Sequence, residues 1–338
     1  VLASLGAAFL LVWLGKGFWS IVVGYSPHSV VYACTFTALV WLLRPIPLSA
    51  IRFRPEHART LFSYGRWFWI GWITSVLLFQ YDKLVVGPLH GARALGIYER
   101  AFTFAQMPTG AITHALIGIT NPLYSRYQQD REKLSAIFAR VAGLILRTAL
   151  PIALVIFTEA DALVDLLLGE RWTPMAPVLK WFVAYSFLRP LLDDVNSLLY
   201  AVGRPRQVTW FGLLQAALFL PMAPALTHTF GLNGAATSVG LIALVGVGLS
   251  LGYTRKLITV PWRQVFLPPV VAIPAAGASA YRIQELPLPE TPWLRLACEV
   301  ALMSAVYFLV LAALEGRRLW RESRGLIALF RSGAMPVD

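Results

Sequence analysis

The chain has 338 residues, of which 57% are hydrophobic and 14% charged, with a formal net charge of +12. So low a charged fraction excludes an ordinary soluble domain, where about a quarter of residues are charged. The basic excess does not indicate nucleic-acid binding, because Lys and Arg stand at the ends of apolar stretches, where they fix membrane topology, and form no single patch.

Those stretches are long enough to cross a hydrocarbon core about 30 Å thick. They predict ten spans, at 1–15, 18–43, 63–89, 94–119, 137–158, 174–200, 207–228, 232–253, 264–281 and 293–314. The chain opens on Val1 inside an apolar run, with no basic stretch and no cleavage site before it. That reads as the interior of a larger, N-terminally truncated protein and not as a signal peptide.

Alternate gaps between spans are basic. Counting Arg44, Arg52, Arg54, Arg59 and Arg66 in one, Arg126, Arg131, Lys133, Arg140 and Arg147 in the next such gap, then Arg204 and Arg206, then Arg255, Lys256 and Arg263, and five arginines after 315, this side holds 20. The other gaps hold 7, and Lys180 and Arg189 fall inside a span. The excess predicts that 44–62, 121–136 and 315–338 are cytoplasmic and that 159–173 lies outside, with both ends cytoplasmic. Cys34 and Cys298 lie far apart in apolar runs and read as small buried hydrophobes without metal or redox spacing.

Charges within spans are costly and mark a cavity or a partner. In the sixth span Tyr185, Arg189, Asp193, Asn196 and Tyr200 recur at helical spacing and share one stripe. Two readings stand beside each other there. Arg189 and Asp193 form a self-neutralising i,i+4 pair, or Arg189 is presented to an anionic ligand. Lys180 lies on the opposite face nearer the outer surface, where it is expected to snorkel. The fourth span carries a second stripe of Glu99, Thr103, Gln106, Thr113 and Asn121, with His114 beside it. The third span ends in Gln80, Asp82 and Lys83, marking either the outer interface or a cavity pair. Both stripes are expected to face a common cavity. No nucleotide-binding glycine loop, metal-ligand spacing or nucleophile motif is present, so an enzyme is not expected.

Residues 79–133 read FQYDKLVVGPLHGARALGIYERAFTFAQMPTGAITHALIGITNPLYSRYQQDREK, followed by LLLGERWTPMAPVLKWF and LLYAVGRPRQ. In the order and spacing of Asp82, Gly87, Gly91, Leu95, Gly96, Tyr98, Ala101, Pro108, Pro122, Ser125, Arg126, Gln128 and Asp130, then Pro151, Gly169, Trp172, Ala176, Pro177, Gly203 and Arg204, the segment resembles the polysaccharide-unit flippases. These Wzx-type exporters of lipid-linked oligosaccharides belong to the superfamily of multidrug extruders and the lipid II flippase. Pro88 departs from the family, which often carries a basic residue there.

The resemblance implies an all-α polytopic bundle of the two-bundle transporter type. Its parts would be the last two spans of a truncated first bundle (1–43), a cytoplasmic linker (44–62), a six-span second bundle (63–253), two additional spans (254–314) and a basic tail (315–338). It implies flipping of undecaprenyl-pyrophosphate-linked oligosaccharide across the bacterial inner membrane by alternating access. The partners would be that lipid-linked substrate, membrane lipid, and a polysaccharide polymerase and chain-length regulator. No cofactor is expected. The polar positions give a substrate-binding set of Arg189, Asn196, Tyr200, Gln106, Arg100 and Lys83, and ion-coupling candidates Asp82, Glu99 and Asp193. Two rivals remain: a membrane glycosyltransferase or polymerase of the same pathway, and an exporter of drugs or other lipids.

Overall fold

The computed structural model describes residues 9–15, 17, 32–43, 55–283, 289 and 291–316. Residues 44–54 of the predicted linker (44–62), residues 317–338 of the predicted tail (315–338) and much of the first two predicted spans lie outside them. Among the described residues the chain is helical, with no strand. It falls into two compact units, residues 1–63 and 64–338. In the first unit, α1 covers residues 9–13 and α2 covers Tyr32–Leu43. In α2, Tyr32 stacks on Phe36 at 6.3 Å.

Helix α3 (Pro55–Arg126) begins in the first unit and runs into the second. It is two limbs joined at Gly91, whose φ of 84° breaks the helix at a conformation that a side chain would strain. The limbs are the third and fourth predicted spans. Then follow α4 (Arg131–Thr158), the short α5 (Ala160–Leu168), a 3-10 turn (Glu170–Met175), α6 (Ala176–Ala201), α7 (Pro205–Thr254), α8 (Trp262–Ile283) and α9 (Pro292–Glu315). Helix α7 is again a pair of spans, bent at Gly231 with φ 61°. Apolar length thus sets each limb, and glycine supplies each reversal without a loop.

Helix α6 sits at the centre of the second unit, packed between α4 and α7, while α8 and α9 attach to α4. Helices α4 and α9 run antiparallel. Thr158 Oγ1 meets Met303 Sδ at one end and Arg147 meets Glu315 at the other. The core between α3, α4 and α6 is dense with aromatic rings: Phe182 lies 5.0 Å from Tyr98 and 5.2 Å from Phe102. The outer surface is apolar instead of polar, with Trp69 71%, Trp72 66% and Leu309 69% exposed. Such a surface suits a lipid solvent and would aggregate in water.

The basic ends of the helices carry aromatic rings beside the cations. Arg66 and Arg206 lie over Trp67, Trp67 meets Trp210, Arg126 and Lys133 flank Tyr127, and Arg255 lies over Trp262. Trp and Tyr beside Lys and Arg are the residues that settle at headgroup level. Asp130 caps α4, its Oδ1 accepting from Lys133 N at 3.1 Å, and these hydrogen bonds hold its carboxyl below the usual range.

Two readings of the sequence, for Arg147 and the cysteines, are corrected here. Arg147 is no gap residue. It lies eleven positions before the end of α4 at Thr158, about 16 Å along a helix, and is buried against Glu315. The Nζ of Lys180, whose snorkelling is left standing, meets the exposed Asp161 carboxylate of α5 at 2.6 Å. Cys34 is exposed and Cys298 half-buried, since an apolar position in such a protein can face outward as well as inward.

Candidate functional site

Two faces of α6 do different things. The first is the stripe of Tyr185, Arg189, Asn196 and Tyr200. Together with the first limb of α3 and both limbs of α7 it lines a cavity of about 80 Å³. Arg189 is the cation in it. Its side chain is 29% exposed, its Nε donates to Asp193 Oδ2 at 2.9 Å, and its guanidinium lies 4.3 Å from the centre of the Phe79 ring. The i,i+4 spacing places Asp193 one turn on, so the pair holds the guanidinium against the cavity wall. Asn196 accepts from Ser250 of α7 at 3.4 Å, and Tyr200 stacks on Phe68 of α3 at 5.2 Å.

The opposite wall is built from small and hydroxyl-bearing residues. A Cβ on Gly71 would stand 3.1 Å from Thr209 Oγ1, and one on Gly212 would stand 3.3 Å from Thr74 Cγ2. Thr209 Oγ1 donates to the Trp67 carbonyl at 2.8 Å. Gln215 enters the cavity from α7, and Gly246 on the second limb makes room for it: a Cβ there would lie 2.4 Å from Gln215 Oε1.

The second face of α6 packs on the second limb of α3. Ser186 Oγ donates to the Ala105 carbonyl at 2.8 Å, Ser197 bonds Asn121, and Tyr124 Oη donates to both oxygens of Asp194 at 3.0 and 3.1 Å. This contact turns the stripe of the fourth span away from the cavity. Thr113 is buried, Thr103 is exposed, and Gln106 is half-buried with an Nε2 that has no hydrogen-bond partner among the described residues. The expectation of one cavity shared by both stripes is therefore corrected. The side chain of His114 lies outside the described residues.

The expected residues thus divide. Arg189, Asn196 and Tyr200 line the cavity, and Asp193 braces Arg189 from its edge. Lys83 stands 2.9 Å from Glu99 Oε2 and 4.6 Å from the centre of the Phe102 ring. Asp82 is buried and accepts from Tyr98 Oη at 2.7 Å. Arg100 is exposed, 5.9 Å from the Trp172 ring. Lys83, Asp82, Glu99 and Arg100 form a polar group around the reversal at Gly91 that is separate from the cavity lining. Sequence reasoning missed Gln215, Tyr124 and Asp194. For Gln215 and Gly246 no spacing was available to find them, since they meet across the two limbs of α7. For Asp194 the signal was present, a second carboxylate beside Asp193 inside a span.

Among the described residues no group of three or more His, Cys, Asp or Glu could hold a metal ion. What the cavity offers is a cation on a short leash, flanked by amide and phenol groups, in an otherwise apolar bundle. It can replace part of the hydration of an anionic group.

A sequence model of the family described as polysaccharide biosynthesis protein matches residues 1–177. The chain is 25% identical over 236 residues to the lipopolysaccharide biosynthesis protein WzxC of Escherichia coli (strain K12), covering 67% of this chain and 47% of that protein. It is 22% identical over 228 residues to the teichuronic acid biosynthesis protein TuaB of Bacillus subtilis (strain 168), with 67% and 47% covered. The chain therefore spans about half the length of the curated relatives it matches. Among solved structures, the lipid II flippase MurJ in an inward closed conformation superposes with a TM-score of 0.68 at 11% identity, over 91% of this chain and 65% of MurJ. The resemblance to the Wzx-type exporters and the all-α polytopic bundle are both borne out.

Proposed function

Because the chain belongs to the family of polysaccharide biosynthesis proteins, we propose that it acts in a flippase that carries a lipid-linked oligosaccharide from one membrane leaflet to the other. The observation that carries this reading is Arg189: a cation inside the membrane-spanning bundle, held by Asp193 and open to a cavity. A pyrophosphate-sugar head group cannot cross hydrocarbon unaided, and a guanidinium offers it paired donors where water is scarce. Asn196, Gln215 and Tyr200 would take sugar or phosphate oxygens beside it. The undecaprenyl tail would stay in lipid.

The cavity of about 80 Å³ is smaller than the roughly 300–1,000 Å³ typical of ligand sites. The reading therefore requires opening to admit substrate, as alternating access does. The basic, aromatic helix ends would face the cytoplasm of the bacterial inner membrane. The bundle of 63–253 would work with a preceding bundle to which 1–43 belongs, and Lys83, Arg100 and Gln106 would serve a later stage of passage. No catalytic set supports a glycosyltransferase or polymerase, and transport is the reading favoured.

The test uses the full-length protein in a strain lacking its own flippase. Arg189→Ala should abolish appearance of the lipid-linked sugar on the outer leaflet while membrane insertion is unchanged, and Arg189→Lys should restore only part. Full export by Arg189→Met with Asp193→Leu would reduce Arg189 to a structural ion pair and overturn its ligand role.

A further inference from the structure

The connector between α7 and α8 is folded down on α4. Residues alternate along it: Ile258 and Val260 are buried, while Thr259 and Pro261 are exposed. Ser135 of α4 pins it, its Oγ accepting from Thr259 N at 3.0 Å and donating to the Arg131 carbonyl at 2.6 Å. Between connector and helix stands a cleft of about 590 Å³, bordered by Thr259 and Pro261 and by Arg131, Glu132 and Arg140 of α4. Pro261 also borders a second cleft, of about 480 Å³, lined by Arg255, Trp262 and Arg263. Four arginines therefore border the two clefts against one carboxylate, that of Glu132. The Arg255 guanidinium lies 5.0 Å from the centre of the Trp262 ring, and that ring lies 6.2 Å from Phe138 of α4. A guanidinium stacked in this way keeps its in-plane N–H groups for an acceptor. Beyond the arginines the surface turns apolar. Leu267, Val270 and Val271 of α8 are exposed, and they follow Arg263 by about 6–12 Å along the helix.

We propose that this corner binds an anionic phospholipid with a hydroxyl-bearing headgroup, its phosphate taken by the arginines around Pro261 and its acyl chains laid along the exposed face of α8. Charge decides the class. A glycerol headgroup leaves the phosphate's negative charge uncompensated, whereas a choline headgroup brings a cation of the same sign as the arginines. Basic clefts at the end of a helical bundle suit such headgroups. Glu132 opposes the phosphate but can accept from the headgroup hydroxyls, and the Thr259 hydroxyl can donate to a phosphate oxygen. Ser135 fixes the connector before any lipid arrives, so little ordering is lost on binding. The lipid would bridge α4 to the α7–α8 connector and stabilise that corner whatever the cavity carries.

The test uses the full-length protein in a nonionic detergent with dioleoylphosphatidylglycerol or dioleoylphosphatidylcholine added. Native mass spectrometry reads the retained lipid, and tryptophan fluorescence reads Tm, with the lipid-free Tm of each variant checking its folding. Phosphatidylglycerol should be retained in preference and should raise Tm, since it binds the folded state. An arginine beside an anionic headgroup is worth about fivefold in retention, so Arg255→Gln with Arg263→Gln should weaken it about 25-fold, and Arg131→Gln alone about fivefold. Retention of phosphatidylcholine should not change. Arg59→Gln with Arg204→Gln removes the same charge from exposed positions elsewhere and should leave retention as it is. Equal retention of the two lipids overturns the site, as does undiminished retention in the cleft variants or an equal loss in the Arg59 and Arg204 control. Glycerol 3-phosphate at the same concentration should not displace the lipid; if it does, the arginines take a free phosphate ester and the lipid assignment falls.

Discussion

Arg147 and Glu315 tie α9 to α4 by a buried ion pair. Their side chains are 8% and 1% exposed. The guanidinium donates twice to one carboxylate oxygen, from Nη2 at 2.9 Å and Nε at 3.2 Å, while Glu315 Oε2 is buried without a hydrogen bond. At an effective dielectric constant near 20, two unit charges this close attract by roughly 6 kcal/mol. Glu315→Leu removes that attraction from the buried Arg147 charge, and breaking one side of a buried pair costs about 3–5 kcal/mol. With an unfolding entropy of about 2.1 cal/mol/K per residue, that corresponds to roughly 4–7 °C in Tm for a chain of this length. The double change Arg147→Met with Glu315→Leu should recover most of the loss, since no charge then remains to be solvated. Tryptophan fluorescence of detergent-purified protein during a thermal ramp reads all four members of the cycle. If Glu315→Leu is as stable as the double variant, the pair carries no coupling and the cost assigned to breaking it is wrong.

Three further outcomes follow from single contacts. Gly246→Ala places a Cβ 2.4 Å from Gln215 Oε1 and must displace that side chain into the cavity; transport should fall severalfold, with Gln215→Ala in the same chain relieving the clash and restoring thermal stability. Burial first, and Glu299 second, raise the Glu159 carboxyl above its usual range; its ionised form is thus penalised on folding, so stability should increase as pH falls through the raised value, and Glu159→Gln should flatten that part of a pH–Tm profile. Gly71→Cys with Thr209→Cys, in a background without Cys34 and Cys298, joins positions whose Cβ atoms would lie 4.0 Å apart, within disulfide reach; the oxidised protein should stop transporting and the reduced one resume, and unimpaired transport by the cross-linked form would show that the cavity need not open there.

Helix positions were legible because the limbs are largely apolar over long stretches, α4, α7 and α9 most clearly, and the limbs of α3 and α7 were separable because Gly91 and Gly231 interrupt two such runs. The depth of a charge was not legible. Arg147 looks like a loop residue when cations are merely counted by gap, and its partner Glu315, distant in sequence by 168 positions, helps to explain how it is tolerated within α4. Helical spacing correctly grouped Arg189, Asn196 and Tyr200 on one face, since that grouping is a property of one helix. It could not decide which face of the neighbouring limb meets α6. That was set by local packing, with Ser186 on the Ala105 carbonyl and Phe102 against Phe182, and it turned Gln106 elsewhere.

The two seams of α6 and the cavity differ in what it takes to part them. Between α6 and the second limb of α3 lie Phe102, Phe182 and Tyr98 in mutual ring contact, with buried polar bonds from Tyr124, Ser186 and Ser197. Parting that seam exposes large apolar faces and orphans several hydrogen bonds at once. Across the cavity, the first limb of α3 meets α7 through glycines and threonines whose hydroxyls already bond carbonyls of their own or the facing helix, as Thr74 does to Ile70 and Thr209 to Trp67 and Pro205. Little side-chain volume interdigitates there, and Thr74 keeps its bond when the helices separate. Tyr81 is the counterweight, since its hydroxyl bonds the Leu220 carbonyl at 3.0 Å and its ring meets Phe219 at 5.7 Å near the other end of that seam. The contacts at the Gly71 end are thus lighter than those at Tyr81, and the lighter end is the basic one, where Arg66 and Arg206 lie over Trp67.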